Sequence, residues 1–449
     1  MAAPPIERPS DAASLDPNAP KERVTPRAWY TLVVLMLAYV LCLMDRKLPF
    51  ILVEPIRHDL NLSDTQIGLL TGLIFTLVYS TSAIPVARIA DRFSRKWVMT
   101  VSVVVWSALT SAGGFATNFW QLAAARAGVA IGESGAMPSS HSMLADLFPQ
   151  HRRATAAAIF MAGAPIGILI GMAAGGIISD LADWRTAMIL IGAPGILLGL
   201  VIAFTIREPK RAPVPKNAPK MGMLQAAKIL FTRPTFRHLA FAAMLSSLAG
   251  TAAQSFGPAF MMRNYGLSTT QTGISYGLVL GIGGLCGALL GGAVADRLRR
   301  LDERAGIWFV SAVIAFAAPF QVFCWFAPSY PLFLALMFIP QISTMIYAGP
   351  VYPALQSLAG PQMRAMAVAF YLFLLNGVGQ SLGPLLTGLL SDGLRSRFGE
   401  DSLQIALFVL GGLKVWSAIH YFLAAVNIRK DLEHARVRLA EPTELAIAT

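Results

Sequence analysis

Five ionisable residues stand in runs that are otherwise apolar. Asp45, Arg46 and Lys47 follow one another inside the stretch near 28–52, and Arg126 and Glu133 share the stretch near 119–142. A spacing of seven is nearly two helical turns, so Arg126 and Glu133 project from one face about 10 Å apart. In a low-dielectric setting such groups support two kinds of chemistry. A carboxylate can gain and lose a proton as its access to water and to a base changes, while an arginine stays charged and can hold an anion. Asp45 and Glu133 are therefore the candidate proton-binding groups, and Arg46 and Arg126 the candidates for an anionic headgroup. Lys47 is expected to snorkel towards an interface. The bland use of the same residues is an ion pair that locks the two runs together.

The elements that must position these groups follow from composition. Apolar residues make up 55% of the 449 and charged ones 13%, about half the charge of an ordinary soluble domain. Roughly 20 apolar residues cross the hydrocarbon slab as a helix, and the sequence contains twelve such stretches. In that setting each ionised side chain at mid-depth costs roughly 2.5–3.5 kcal/mol, against about 0.3–0.6 returned per Leu or Val. The five charges should face one another or a polar cavity. The net charge of +12 is topological: 27 of the 36 Lys/Arg fall on the side of the N-terminus and only Arg57, Arg185, Arg263, Arg395 and Arg397 on the other. Positive loops stay cytoplasmic, so both termini are expected in the cytosol of a multi-pass cell-membrane protein, a bacterial inner membrane fitting best. Nucleic acid is not expected as a partner. Cys42, Cys286 and Cys324 lie far apart in apolar runs, which argues against a disulfide framework.

The chain is built twice. Ala87-Arg-Ile-Ala-Asp91-Arg92-Phe-Ser-Arg95-Lys96 has its echo in Gly292-Ala-Val-Ala-Asp296-Arg297-Leu-Arg299-Arg300, Gly176-Ile-Ile-Ser-Asp180 in Gly388-Leu-Leu-Ser-Asp392, and Arg153-Ala-Thr-Ala in Arg364-Ala-Met-Ala, all at nearly one offset. The expected architecture is all-α, with twelve transmembrane helices in two pseudo-symmetric six-helix bundles. Residues 1–27 form a tail, 28–206 the first bundle, 207–236 a Pro-rich basic linker with an amphipathic helix near 222–231, 237–426 the second bundle and 427–449 a second tail. Such repeats place a binding site on the axis between them. Glycines at every fourth position of the fifth helix (Gly163, Gly167, Gly171, Gly175), echoed in the eleventh by Gly379 and Gly383, are expected to form sliding surfaces between the halves.

Those features resemble the major facilitator superfamily over about residues 28–426. The twin loop motifs carry the resemblance, with Ala87 and Ser94 in place of the usual glycines. The resemblance implies that Asp91, Arg92 and Arg95, with Asp296 and Arg297, gate the cytosolic side. A narrower resemblance rests on Met44-Asp45-Arg46, on Arg126-Ala-Gly-Val-Ala-Ile-Gly132-Glu133 and on Met143-Leu-Ala-Asp146-Leu-Phe-Pro149. Together they look like the spinster family, which implies sphingolipid- or lysophospholipid-like substrates handled by these four charges. The family usually shows Asn-Tyr where this chain has Cys42-Leu43. Organic-anion symporters of the same superfamily share a similar constellation; the stretch after Glu133 favours spinster.

Beyond the charges, Gln254, Gln341 and Asn376 offer uncharged polar groups to a ligand in the second half. Lys414 lies deep in the last helix with no partner visible in sequence, and His141 and His420 read as packing or interface residues. No nucleophile–base set, metal-ligand spacing or phosphate-cradling Gly-Lys-Ser/Thr loop occurs, so neither an enzyme, a metal site, a cofactor nor ATP drive is expected. The function expected is that of a proton-coupled secondary carrier, monomeric, that moves a lipid-like amphipathic anion by alternating access, with protons and membrane lipids as its other partners. A carrier of small sugar acids is the nearest alternative, and a non-transporting receptor or lipid scramblase the next.

Overall fold

The computed structural model describes residues 24–209, 223–298, 302, 304–360 and 363–440; the side chains of 91, 223–224, 295–296 and 434–440 lie outside that description. So do the tail residues 1–23, linker residues 210–222 and tail residues 441–449. Among the described residues there are helices and no strands. The long helices are α1 (Pro26–Ile51), α2 (64–92), α3 (Arg95–Gly113), α4 (119–147), α5 (Gln150–Leu181), α6 (Trp184–Thr205), α7 (Pro234–Tyr265), α8 (Thr269–Leu298), α9 (Ala305–Phe326), α10 (Tyr330–Ala359), α11 (364–398) and α12 (402–440). Nine described stretches pass as membrane spans by length and composition. The last of these, Arg364–Glu433, holds both α11 and α12, and α3 and α4 complete a set consistent with twelve crossings.

Caps set where the helices begin. Thr25 accepts from the Ala28 amide with Pro26 at the first turn, Ser63 and Gln66 form a capping box at α2, and Asn118 caps α4. Two helices depart from α-geometry where they face each other: α2 has a π-helical turn at Leu69–Leu73 and α11 one at Phe373–Gln380. α4 is interrupted at Ser134-Gly135, immediately after Glu133. The helix Met223–Thr232 forms where an amphipathic one was expected, and buries Ala226 and Leu230 in the core of the second half. The C-terminal helix corrects one expected boundary. Residues 427–440 continue α12, because Ile428 and Leu432 are buried and Asp431 accepts from the Thr235 amide at the start of α7 (2.8 Å).

The apolar packing differs between the two ends. At the end holding both loop motifs each half has its own core: Leu35, Met99, Trp106, Met143 and Phe160 in the first, Phe236, Ile314, Leu355 and Tyr421 in the second. At the opposite end one core takes residues from both halves, among them Ile51, Trp184, Phe256, Tyr276 and Trp325. There α5 packs on α8 and α2 on α11, an equivalent pair under the duplication. Asp180 accepts from the amides of Thr269 and Thr270 at the start of α8 (3.2 and 2.7 Å), and Asp392 from those of Asp64 and Thr65 at the start of α2 (3.2 and 2.8 Å). A carboxylate at a helix N-terminus contributes about 0.3–1 kcal/mol, more when partly buried. Gly176 and Gly388, four residues earlier, lie against the backbone carbonyls of Thr269 and Asp64, where any Cβ would collide.

The remaining small residues correct an expectation. Gly163, Gly167, Gly171 and Gly175 face α1 within the same half, and Gly379 and Gly383 face α7; the cross-half contact uses Gly176, Gly388 and the α8 glycines Gly273 and Gly277 instead. The four-residue series sits on its own bundle, whereas Gly388 sits on the Asp64 backbone of the other half with no room for a Cβ. Gly388→Ala should therefore cost about 1–3 kcal/mol by overpacking, read as a lower melting temperature of the purified protein. Gly393→Ala, with open space around it, should leave the melt unchanged or slightly raised.

Candidate functional site

The charges of α1 and α4 come together. Arg46 Nε donates to Glu133 Oε2 at 2.6 Å, and the Cys42 thiol donates to the same oxygen at 3.3 Å. Arg126 Nη1 donates to the main-chain carbonyl of Asp45 (3.4 Å). Aromatic rings of α2 wall the cluster: the Arg46 guanidinium lies 4.3 Å from the centre of Tyr79, and that of Arg126 lies 4.5 Å from Phe75. Asp45 and Arg126 are each 2% exposed and Glu133 is fully buried, while the Arg46 side chain keeps 26% of its surface open. The sequence places all four charges in one polar crevice; the structure closes three of them off and leaves Arg46 as the accessible one. Glu133 Oε1, Asp45 Oδ1 and Arg126 Nε are buried with no hydrogen-bond partner in the protein. Breaking a buried pair by removing one member costs roughly 3–5 kcal/mol, because the remaining charge is stranded. Anything that takes Arg46 from Glu133 must therefore compensate Glu133 by other means.

The residues proposed in the second half separate. Lys47 Nζ donates to Gln254 Oε1 (2.8 Å), a bond that crosses from α1 to α7. Asn376 accepts from Gln380 (2.7 Å) inside the π-helical turn and stays partly open. Gln341 is buried between α8 and α10, its amide donating to the Leu280 carbonyl and its chain filling the space beside Gly283. Lys414, fully buried, finds the hydroxyl of Ser246 at 3.1 Å. His141 packs edge-on against Phe160, and His420 lies 2.9 Å from His238 of α7. Cys42, Phe75 and Tyr79 escape a reading for charge because none of them carries one. The one sequence signal for Cys42 is its place where the resemblance leads one to expect polar Asn-Tyr.

A second cluster clamps the halves at the end with the shared core. The Arg263 guanidinium, at the end of α7, donates to Glu54 (2.9 and 2.5 Å) and to Asp64 (2.9 and 2.6 Å), and Ser391 of α11 donates to Asp64 (2.6 Å). With the caps by Asp180 and Asp392, three separate polar contacts close this end.

A sequence model of the Major Facilitator Superfamily matches residues 35–428. The chain belongs to the major facilitator superfamily. It is 35% identical over 437 residues to an MFS-type efflux pump of Mycolicibacterium smegmatis, covering 94% of this chain and 99% of that protein. It is 25% identical over 425 residues to the sphingosine-1-phosphate transporter SPNS2 of Danio rerio, covering 87% and 84%. Among solved structures, a bacterial homolog of the human lysosomal transporter Spinster, in an inward-facing and unoccupied conformation, matches with a TM-score of 0.81 at 28% identity, covering 91% of this chain and 98% of that one. This facilitator is accordingly a spinster-type transporter, a multi-pass membrane protein and not an enzyme.

Arg95 is buried within the first half, where it pairs with Asp146 (2.5 Å) and Glu208 (2.9 Å). Arg92 and Arg297 are exposed, and the side chains of Asp91 and Asp296 lie outside those described. Glu208 straps the chain leaving α6 to the start of α3, accepting from the Lys96 amide (2.8 Å), the Ser94 hydroxyl (2.7 Å) and Arg95. Burial opposes the ionised form of Glu208, but these hydrogen bonds outweigh it and hold the carboxyl below its ordinary value. A depressed carboxyl contributes stability above its unfolded pKa of about 4.3 and loses it as pH falls through the lower folded value.

Two outcomes follow. Arg263→Met takes the arginine from buried Asp64 and leaves Glu54 with Arg57, and should open the clamped end, seen as a longer, broader distance between spin labels at Leu181→Cys and Arg397→Cys; an unchanged distribution would show the clamp is passive. Glu208→Gln should melt below the wild type at about pH 6–8, and the two curves should converge near about pH 3.

Proposed function

We propose that this facilitator is a proton-coupled carrier of an amphipathic anion, and that anion and proton travel together. The observation that supports this most is the sharing of Arg46. Its side chain keeps 26% of its surface open, while its Nε is held by a carboxylate that is otherwise fully buried and has one unbonded oxygen. An anionic headgroup that takes Arg46 displaces Glu133, and Glu133, stranded in an apolar setting, then takes a proton on that oxygen. By linkage, each of the two ligands favours binding of the other. Asp45, buried beside Arg126, is the second proton-binding group. The Phe75 and Tyr79 rings beside Arg46 suit a headgroup joined to an apolar chain, and the relative named for sphingosine-1-phosphate supports a lipid-like cargo.

The closed end carries Arg57, Arg185, Arg263, Arg395 and Arg397, the few bases of the sparsely charged side. The charge bias puts that side outside the cell and the loop motifs, the linker and both termini in the cytoplasm. The conformation is then inward-open, in keeping with the inward-facing structural neighbour. Gating from the other state falls to Asp91, Arg92, Arg95, Asp296 and Arg297.

Reconstituted in liposomes with an imposed pH step, the wild type should concentrate an amphipathic anion in the direction of proton flow. Glu133→Gln should lose about 5–150-fold of that accumulation while keeping exchange of labelled for unlabelled cargo. Full accumulation by Glu133→Gln with intact pH dependence would falsify the assignment.

A further inference from the structure

We propose that Lys47 is a ligand-binding residue, the second cation of the anion site, and that it makes the site select head groups carrying two negative charges over those carrying one. The inference rests on the reading of the Arg46–Glu133 pair given above. The Lys47 side chain bonds across to the opposite half. It is partly buried, its Nζ donating to Gln254 of the opposite half and lying 4.4 Å from the centre of the Phe50 ring. No carboxylate among the described residues lies within ion-pairing distance, and Arg46 is close enough for the two like charges to repel. An aromatic face returns about 0.5–2 kcal/mol to a cation and a neutral amide supplies one hydrogen bond. An ammonium in a span costs roughly 2.5–3.5 kcal/mol, so a second acceptor, and a charged one, is called for.

The charges give the number. The charges set within the apolar runs of α1 and α4 are Arg46, Lys47 and Arg126 against Asp45 and Glu133, so one positive charge is in excess when both acids are ionised. When a headgroup takes Arg46 and Glu133 accepts a proton, two positive charges are in excess. A doubly charged headgroup, such as a phosphomonoester or a dicarboxylate, leaves the loaded site neutral; a singly charged one leaves it with an uncompensated cation in the membrane. Because the present partner of Lys47 belongs to the other half, a headgroup that engages Lys47 also releases one tie between α1 and α7.

The test uses the purified full chain and two probes with one tail, octyl phosphate and octyl methyl phosphate, at about pH 7.5, where the monoester is doubly charged (second pKa about 6). Calorimetric titration should show the monoester binding about tenfold tighter than the diester. Lys47→Gln, which can still bond Gln254, should reduce that ratio to about one by weakening only the monoester, and Lys47→Arg should restore it. Equal binding of both probes to the wild type, or an undiminished ratio in Lys47→Gln, overturns the role of Lys47 and leaves the amphipathic-anion reading standing. Failure of the wild type to bind either probe overturns both.

Discussion

Charge inside an apolar slab is tolerated only where it is compensated, and the architecture of this facilitator follows from that constraint. Five ionisable groups on two helices would be prohibitive if each faced lipid. The first half turns them inward, sets Glu133 on Arg46, and covers Asp45, Arg126 and Glu133 almost completely. The cluster pairs an acid with a base, and Arg46 is the member that stays partly exposed. In the coupling proposed above, compensation by a neighbour gives way to compensation by cargo and proton. A structural lock would need none of the asymmetry in exposure between Arg46 and its partners.

The duplication turns this local exchange into a movement. At one end Asp180 and Asp392 cap the first turns of α8 and α2, and Gly176 and Gly388 bring the backbones close enough for those caps to reach. Arg263 adds a clamp to Glu54 and Asp64. At the other end each half keeps a separate core, and Arg95 and Glu208 bind the first half to itself. Stiff bundles joined at one end are what a rocking motion requires: the contacts that must break are few and polar, while the packing that must survive is apolar and internal to each half. The Lys47–Gln254 bond is the link between the two regions, since it joins the charged helix directly to the opposite bundle.

Much of this was legible in the sequence, and the limits have physical causes. Hydropathy and the bias of Lys and Arg reveal the spans because both respond to the bilayer itself. The paired Gly-x-x-x-Asp segments betray the duplication because the caps need those residue types at that spacing. The partners of the charges in the first half were within reach, since Asp45, Arg126 and Glu133 stand in long apolar runs of α1 and α4. What escaped was decided by three-dimensional neighbours of neutral character. Cys42, Tyr79 and Phe75 shape the surroundings of Arg46 without any charge to announce them. The α5 glycines face α1 and not the opposite half, a matter of helix rotation that periodicity leaves open. Gln341 is used up between two helices, and Lys414 relies on a serine, the least conspicuous of partners. Arg95 bonds to Asp146 and Glu208 of its own half, partners that no sequence pattern singles out.

The central claim is that Glu133 exchanges Arg46 for a proton when an anion arrives. Infrared difference spectroscopy on the reconstituted protein, recorded as octyl phosphate is added at constant pH, observes that exchange directly. The account predicts a new carbonyl band of a protonated carboxylic acid, matched by loss of a carboxylate band, and neither change in Glu133→Gln. An anion that binds without producing the band, or a band that persists in Glu133→Gln and vanishes in Asp45→Asn, would contradict it.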